Sequence, residues 1–254
     1  MVTGESGAVK PVIFAGPSIY GIEKGDLVWA DLRPPAACGD ILRACQSRVS
    51  RIGLVDGVFE SCPSVWHKEI LFALALGVEV FGAASMGALR AAECHRFGMQ
   101  GVGIIFAQYL SGERIADADV AVLHAPPELA YQPLTVALVD VEATIARLST
   151  LRLLAPSQEA ALLNAAAELH FKRRTWARIL DIASFDGLGR ETMECNLRRH
   201  KVSQKTLDAK ELIARLGQPE IARHTITASE LNRTIYFDML ETTIAAQPPA
   251  GDLG

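Results

Sequence analysis

The sequence predicts an α/β fold: a mostly parallel central sheet flanked by helices, with an all-helical C-terminal region. Three observations predict it. Short β-branched and aromatic runs at Val12 to Ala15, Arg51 to Val55 and Val78 to Phe81 alternate with helix-forming stretches, the order that parallel strands require. Each run is followed by a turn signal containing glycine, at Gly16-Pro17-Ser18, Asp56-Gly57 and Gly82 to Ser85. From Leu134 onward strand signals fade and helical periods follow one another.

Taken in order, Val12 to Ala15 is a buried strand, Tyr20-Gly21 turns the chain, and Asp26 to Ala30 reads as a second short strand. Pro34-Pro35 breaks structure before a helix from about Gly39 to Ser47, and Arg51 to Val55 is the next strand. Pro63-Ser64 opens a helix through Leu76, with Trp66, Ile70, Ala73 and Leu74 at core spacing. After the strand from Val78 and a helix from Met86 through Glu93, Gly98 to Gly103 reads as a loop and Ile104 to Leu110 as a helix. Asp117 to Leu123 predicts an acidic turn and a further strand. Helices are then expected at Leu134 to Leu153, Ser157 to Phe171, Thr175 to Ala183, Arg190 to His200, Thr206 to Leu216 and Ser229 to Ala246. This divides the chain into a hydrolase-like α/β core over 1–133 and a helical region over 134–254, packed on or extending that core, with a disordered tail from about 247.

With 254 residues, half of them hydrophobic, the chain can bury a substantial core. A net charge of −4 argues against a general nucleic-acid surface. Between Lys172 and Lys205 nine Lys or Arg face four acids, which reads as a solvated helix face before protein docking or nucleic acid. Five cysteines without C-x-x-C spacing suit a reducing cytoplasm, no His/Cys/Asp spacing suggests a metal, and no cofactor is expected. The N-terminus lacks a basic segment followed by an apolar one, so no secretory signal is expected. Ile70 to Leu89 is long enough to span a bilayer, but Gly77, Gly82 and Gly87 break it where a helix, strand and helix need breaks. No membrane association is expected.

The stretch V-E-V-F-G-A-A-S-M-G-A-L-R-A-A-E, Val78 to Glu93, organises the chain. It is strand, tight turn and helix, and Ser85 stands at the turn over the helix N-terminus, where unpaired N–H groups favour negative charge. Ala83-Ala84-Ser85-Met86-Gly87 reproduces the Gly-x-Ser-x-Gly nucleophile elbow with alanine for the first glycine. From the pattern alone Ser85 reads first as an ordinary N-cap, with the glycines only allowing close helix–strand packing. His67 and His124 read as ordinary hydrogen-bonding histidines, and Arg90 with Glu93 as an intrahelical pair.

Several strings in this order resemble the TfuA family: Phe14-Ala15-Gly16-Pro17-Ser18, Gly53-Leu54-Val55-Asp56-Gly57-Val58-Phe59-Glu60, Val65-Trp66-His67-Lys68-Glu69-Ile70, Phe81 to Glu93, and Ala121-Val122-Leu123-His124. The likeness covers about residues 12 to 145. Ala84, Ala107 and Asp140-Val141-Glu142 stand where the family pattern more often has a serine, an acid, and Asn with Arg. The resemblance implies a partner of YcaO enzymes in peptide-backbone thioamidation. It further implies hydrolysis of a C-terminal thiocarboxylate on a ThiS-like sulfur carrier, releasing sulfide to YcaO, with the precursor peptide met only indirectly. The family's Ser-Lys pair falls on Ser85 and Lys68, seventeen positions apart (85 − 68).

A lysine acts as base only when its amine is neutral, and Trp66, Ile70 and Leu71 are the apolar neighbours available to Lys68. Attack would create an oxyanion, for which the Met86 N–H is the natural first donor. A second donor is expected from the Gly16-Pro17-Ser18 loop, at the Ser18 N–H because Pro17 has none. Asp56, His67 and Arg90 are supporting candidates, Arg90 for gripping an acidic carrier terminus. Two other classes compete: a non-catalytic adaptor that recruits peptide or carrier to YcaO, and an anion or nucleotide binder at the Ser85 helix N-terminus.

Overall fold

A computed structural model describes residues 9–218 and 233–246. Five strands form one sheet: β1 (Val12–Phe14), β2 (Asp31–Arg33), β3 (Arg51–Leu54), β4 (Glu79–Gly82) and β5 (Gln100–Gly101). They lie in the order β2-β1-β3-β4-β5 and every pairing is parallel. The α/β reading therefore holds. Strands buried on both faces need no alternation of apolar and polar residues, which is why β1 and β3 are buried throughout.

The period of two sends alternate side chains to opposite layers. Val12, Phe14, Ile52, Leu54 and Val80 face one layer of helices, α1 (Asp40–Gln46), α2 (His67–Ala75) and α3 (Met86–Cys94), through Ile41, Ile70, Ala73 and Ala91. Ile13, Ala15, Val55 and Phe81 face the other side, where Ala209, Leu212 and Leu216 of α9 (Gln204–Leu216) cover them. Gly53 makes that second layer possible, since a Cβ there would lie 2.5 Å from Leu216 Cδ1. Arg51, at the start of β3, donates to Leu216 O at 2.6 Å, while the other end of α9 reaches the residue after β3, so α9 runs antiparallel to that strand.

Between them in sequence, α4 (Ile104–Ser111) leads to α5 (Leu138–Thr150), α6 (Pro156–Glu168), α7 (Trp176–Ile182) and α8 (Gly187–His200). Helices α5 to α8 build a core of their own around Ile145, Leu148, Leu162, Ile179 and Leu197. α10 (Ile235–Ala245) lays Phe237 and Ile244 against Leu42 of α1. The expected tail from about 247 lies outside the described residues.

Four local expectations need correction. The apolar run ending at Ala30 is not the second strand: Lys24–Leu27 is a 3-10 turn, and the strand is the more polar Asp31–Arg33, which suits a half-exposed sheet edge. The segment after Asp117–Asp119 joins no sheet, because its backbone pairs locally, Ala125 N with Gln132 O at 2.8 Å and Leu134 N with Leu123 O at 2.8 Å. The loop expected over Gly98 to Gly103 contains the edge strand β5. α2 also starts at His67 rather than Pro63, because the Glu69 carboxylate accepts the Trp66 N–H at 3.0 Å and fixes the first turn there.

Candidate active site

In an open parallel sheet, ligands bind outside the carboxyl ends of the strands where the strand order reverses, here between β1 and β3. The two loops that leave those strands meet on one side chain. Asp56, following β3 and buried at 1 % exposure, accepts the Gly16 N–H at 2.8 Å and the Ser18 N–H at 2.9 Å on Oδ2, and the Ser18 hydroxyl at 2.6 Å on Oδ1. A buried carboxylate needs such donors. The expectation for Ser18 changes accordingly: its N–H is taken up by Asp56, so it and Gly16 hold the floor of the site.

At the end of β4 the backbone turns sharply. Ala84 has φ +67°, and the Ser85 N–H donates to Ala83 O at 2.8 Å across it, a strained three-residue turn. Ser85 occupies the N-cap position of α3, yet its side chain accepts no capping hydrogen bond. At 8 % exposure its hydroxyl belongs to the wall of a cavity. Gly87 lets this turn sit against β3, since a Cβ there would lie 1.8 Å from Leu54 O. Met86 opens α3 and lines the same cavity, and a first helical N–H has no intrahelical partner.

The third contributor was missed in the sequence. Lys205, in the first turn of α9, is 3 % exposed, donates to Val120 O at 2.7 Å and places its Nζ 3.9 Å from Asp56 Oδ1. Asp140 of α5 fixes the turn that carries it, accepting the Lys205 N–H at 3.0 Å and the Ser203 hydroxyl at 3.0 Å. Burial pushes the Asp140 carboxyl up from its ordinary range, against these donors.

Ser85, Met86, Asp56, Arg90 and Lys205 line one cavity of about 700 Å³, with His124 at its rim. A second cavity of about 440 Å³ shares Pro17, Val122 and Lys205 with it. Arg90 donates to Val65 O at 2.9 Å and Ser64 Oγ at 3.1 Å, and makes the expected pair with Glu93 at 2.6 Å. Lys68 and His67 are in the first turn of α2 and are not among the residues lining either cavity. His67 pairs instead with Glu93 at 2.8 Å, and Glu93 stands eight residues beyond Ser85, about 12 Å along α3 at the usual helical rise. Burial would raise the Glu93 carboxyl, but hydrogen bonds from His67 and Arg90 hold it below its ordinary value. His124 Nδ1 is engaged with Ala125 O at 2.8 Å.

Among the described residues no three His, Cys, Asp or Glu side chains gather as a metal site, and no helix is long and apolar enough to cross a membrane. Chemically the arrangement offers a hydroxyl on a strained turn, a helix N-terminus and a buried ammonium–carboxylate pair around one cavity. No curated protein matches the chain. The family model described as TfuA-like protein matches residues 56–175, which implies an accessory role beside a YcaO enzyme in thioamidation. From the buried Asp56 through Ser85 and Arg90 to the start of α7, the chain is thus similar to the TfuA-like family.

Proposed function

We propose that this protein hydrolyses the C-terminal thiocarboxylate of a ThiS-like sulfur carrier in the cytoplasm and passes the sulfide to a YcaO partner that thioamidates a precursor peptide. The observation that carries the reading is Ser85: a nearly buried cavity residue on a strained turn, in N-cap position but without the capping bond that would explain it structurally. In this reading the Ser85 oxygen attacks the acyl carbon as the base takes its proton and hands it to the sulfur, the Met86 N–H receives the oxyanion, and the C–S bond breaks with its electron pair leaving as HS⁻. Water then cleaves the acyl-serine, returning the hydroxyl and giving the carrier carboxylate and a proton. Sulfide is a good leaving group, so no histidine acid is required. Lys68 is the base that the resemblance implies, and it is tested apart from Ser85 because it lies outside the cavity lining.

The experiment is incubation of purified protein with thiocarboxylated carrier, following carrier mass. Conversion to the carboxylate is expected, lost in Ser85→Ala and in Lys68→Ala. Absence of conversion, or conversion untouched by Ser85→Ala, rejects the hydrolase and leaves the adaptor. Turnover that survives only Lys68→Ala removes Lys68 as the base and keeps the serine.

A further inference from the structure

We infer that Lys205 is a substrate-positioning cation, holding the anionic end of an acyl substrate, a carboxylate or thiocarboxylate, in the cavity that Ser85 lines. The inference rests on the proposed hydrolase reading for its substrate class and on the geometry of α9 for its residue. Lys205 is buried, yet its neighbours leave it donors to spare: Val120 O takes one N–H at 2.7 Å, and Asp56 Oδ1 lies 3.9 Å away, already accepting the Ser18 hydroxyl at 2.6 Å. An ammonium has three N–H donors, and Lys205 is among the residues that line the cavity. A purely structural ion pair would close at ordinary hydrogen-bond distance, about 2.8 Å, and satisfy both partners. Here the carboxylate is held by backbone and hydroxyl donors from β1's loop, so the lysine is oriented by Asp56 without being consumed by it.

Its place fits the role. Lys205 stands in the wall common to both cavities, and the N-terminus of the nine-residue helix α3 opens on the larger one, so an anion there meets an ammonium and a helix N-terminus together. With the anionic sulfur or oxygen at Lys205, the acyl carbon one bond away is presented to the cavity wall that holds the Ser85 hydroxyl. The ammonium then faces the charge of the bound anion and of the departing HS⁻.

Thioacetate, the smallest thiocarboxylate, and acetate are the probes. Titration into ¹⁵N-labelled full-length protein should shift the Ser85 and Met86 amides and the Lys205 Nζ resonance along one saturable curve. Lys205→Gln should weaken that binding about tenfold or more, the scale of one charge-assisted hydrogen bond, while Lys205→Arg retains most of it. With thiocarboxylated carrier, Lys205→Gln should raise KM more than it lowers kcat. Backbone shifts without the Nζ shift, equal binding by Lys205→Gln, or no saturation at all would overturn the inference. The wild-type Nζ titration needs no variant, so a poorly folded Lys205→Gln does not blunt the test. Probe binding without carrier hydrolysis would sink the hydrolase reading alone; hydrolysis with KM and kcat unchanged in Lys205→Gln would sink the clamp alone.

Discussion

A serine that caps a helix accepts a backbone N–H, and replacing it by alanine costs about 1 kcal/mol. Ser85 accepts none, so Ser85→Ala should leave stability within about 0.5 kcal/mol while abolishing carrier hydrolysis; calorimetric Tm and carrier mass read the two outcomes separately. A second residue carries a pH signature. Glu69, fully buried, is pushed by desolvation to about 7 from its ordinary 4.5, although it accepts the Trp66 and Gly39 N–H groups, and burial likewise pushes the neighbouring Cys38 thiol up to about 11. Between pH 4.5 and about 7 the folded state holds a proton on Glu69 that the unfolded state has released. Its contribution is full below pH 4.5 and is lost as pH rises through about 7, some 3 kcal/mol in all. Tm should therefore fall between pH 5 and 8, and Glu69→Gln should flatten that slope. Ser85 and Asp56 were legible because a turn between an apolar run and a helix announces itself. Lys205 was not: in the sequence it is the last of nine cations, and nothing local tells a buried ammonium from a solvated one.

Helices were legible from their periods, while the layer each belongs to was not. α9 looks like any amphipathic helix of the C-terminal region, yet it covers the face of the sheet opposite α1 to α3. Only the register of Gly53 beneath Leu212 and Leu216 reveals it, and that pairing spans most of the chain. Two substitutions test the packing. Gly87→Ala should destabilise by about 3 kcal/mol or more, since its Cβ meets the Leu54 carbonyl at 1.8 Å and backbone cannot yield as a side chain does. Asp140→Ala should cost about 2 kcal/mol in urea unfolding by leaving the Lys205 N–H and Ser203 hydroxyl unpaired at the start of α9. The short extended segments were the least legible elements: polar Asp31–Arg33 joins the sheet, and apolar Val120 to Leu123 does not, because edge position and local pairing outweigh composition.

Over the whole molecule, the basic excess between Lys172 and Lys205 is partly spent inside the fold. Arg174 donates to Ala166 O and Leu169 O, Arg190 pairs with Asp181 and Glu194, Lys172 pairs with Glu60, and Lys205 is in the site. Residues beyond Pro133 pack on the sheet, since Ala209, Leu212 and Leu216 complete its second face. A chain ending at His200 should therefore fail to fold, giving a collapsed amide spectrum and no cooperative melt.

Asp56 leaves the ribosome 149 residues ahead of Lys205 (205 − 56), roughly 7 to 30 s earlier at ordinary synthesis rates of about 5–20 residues per second. Until the late helix emerges, one side of the nascent sheet stays uncovered and the cavity lined by Ser85 lacks Lys205. Under the proposed reading, a nascent chain lacks the cation that holds the anion, and sulfide release waits for α9.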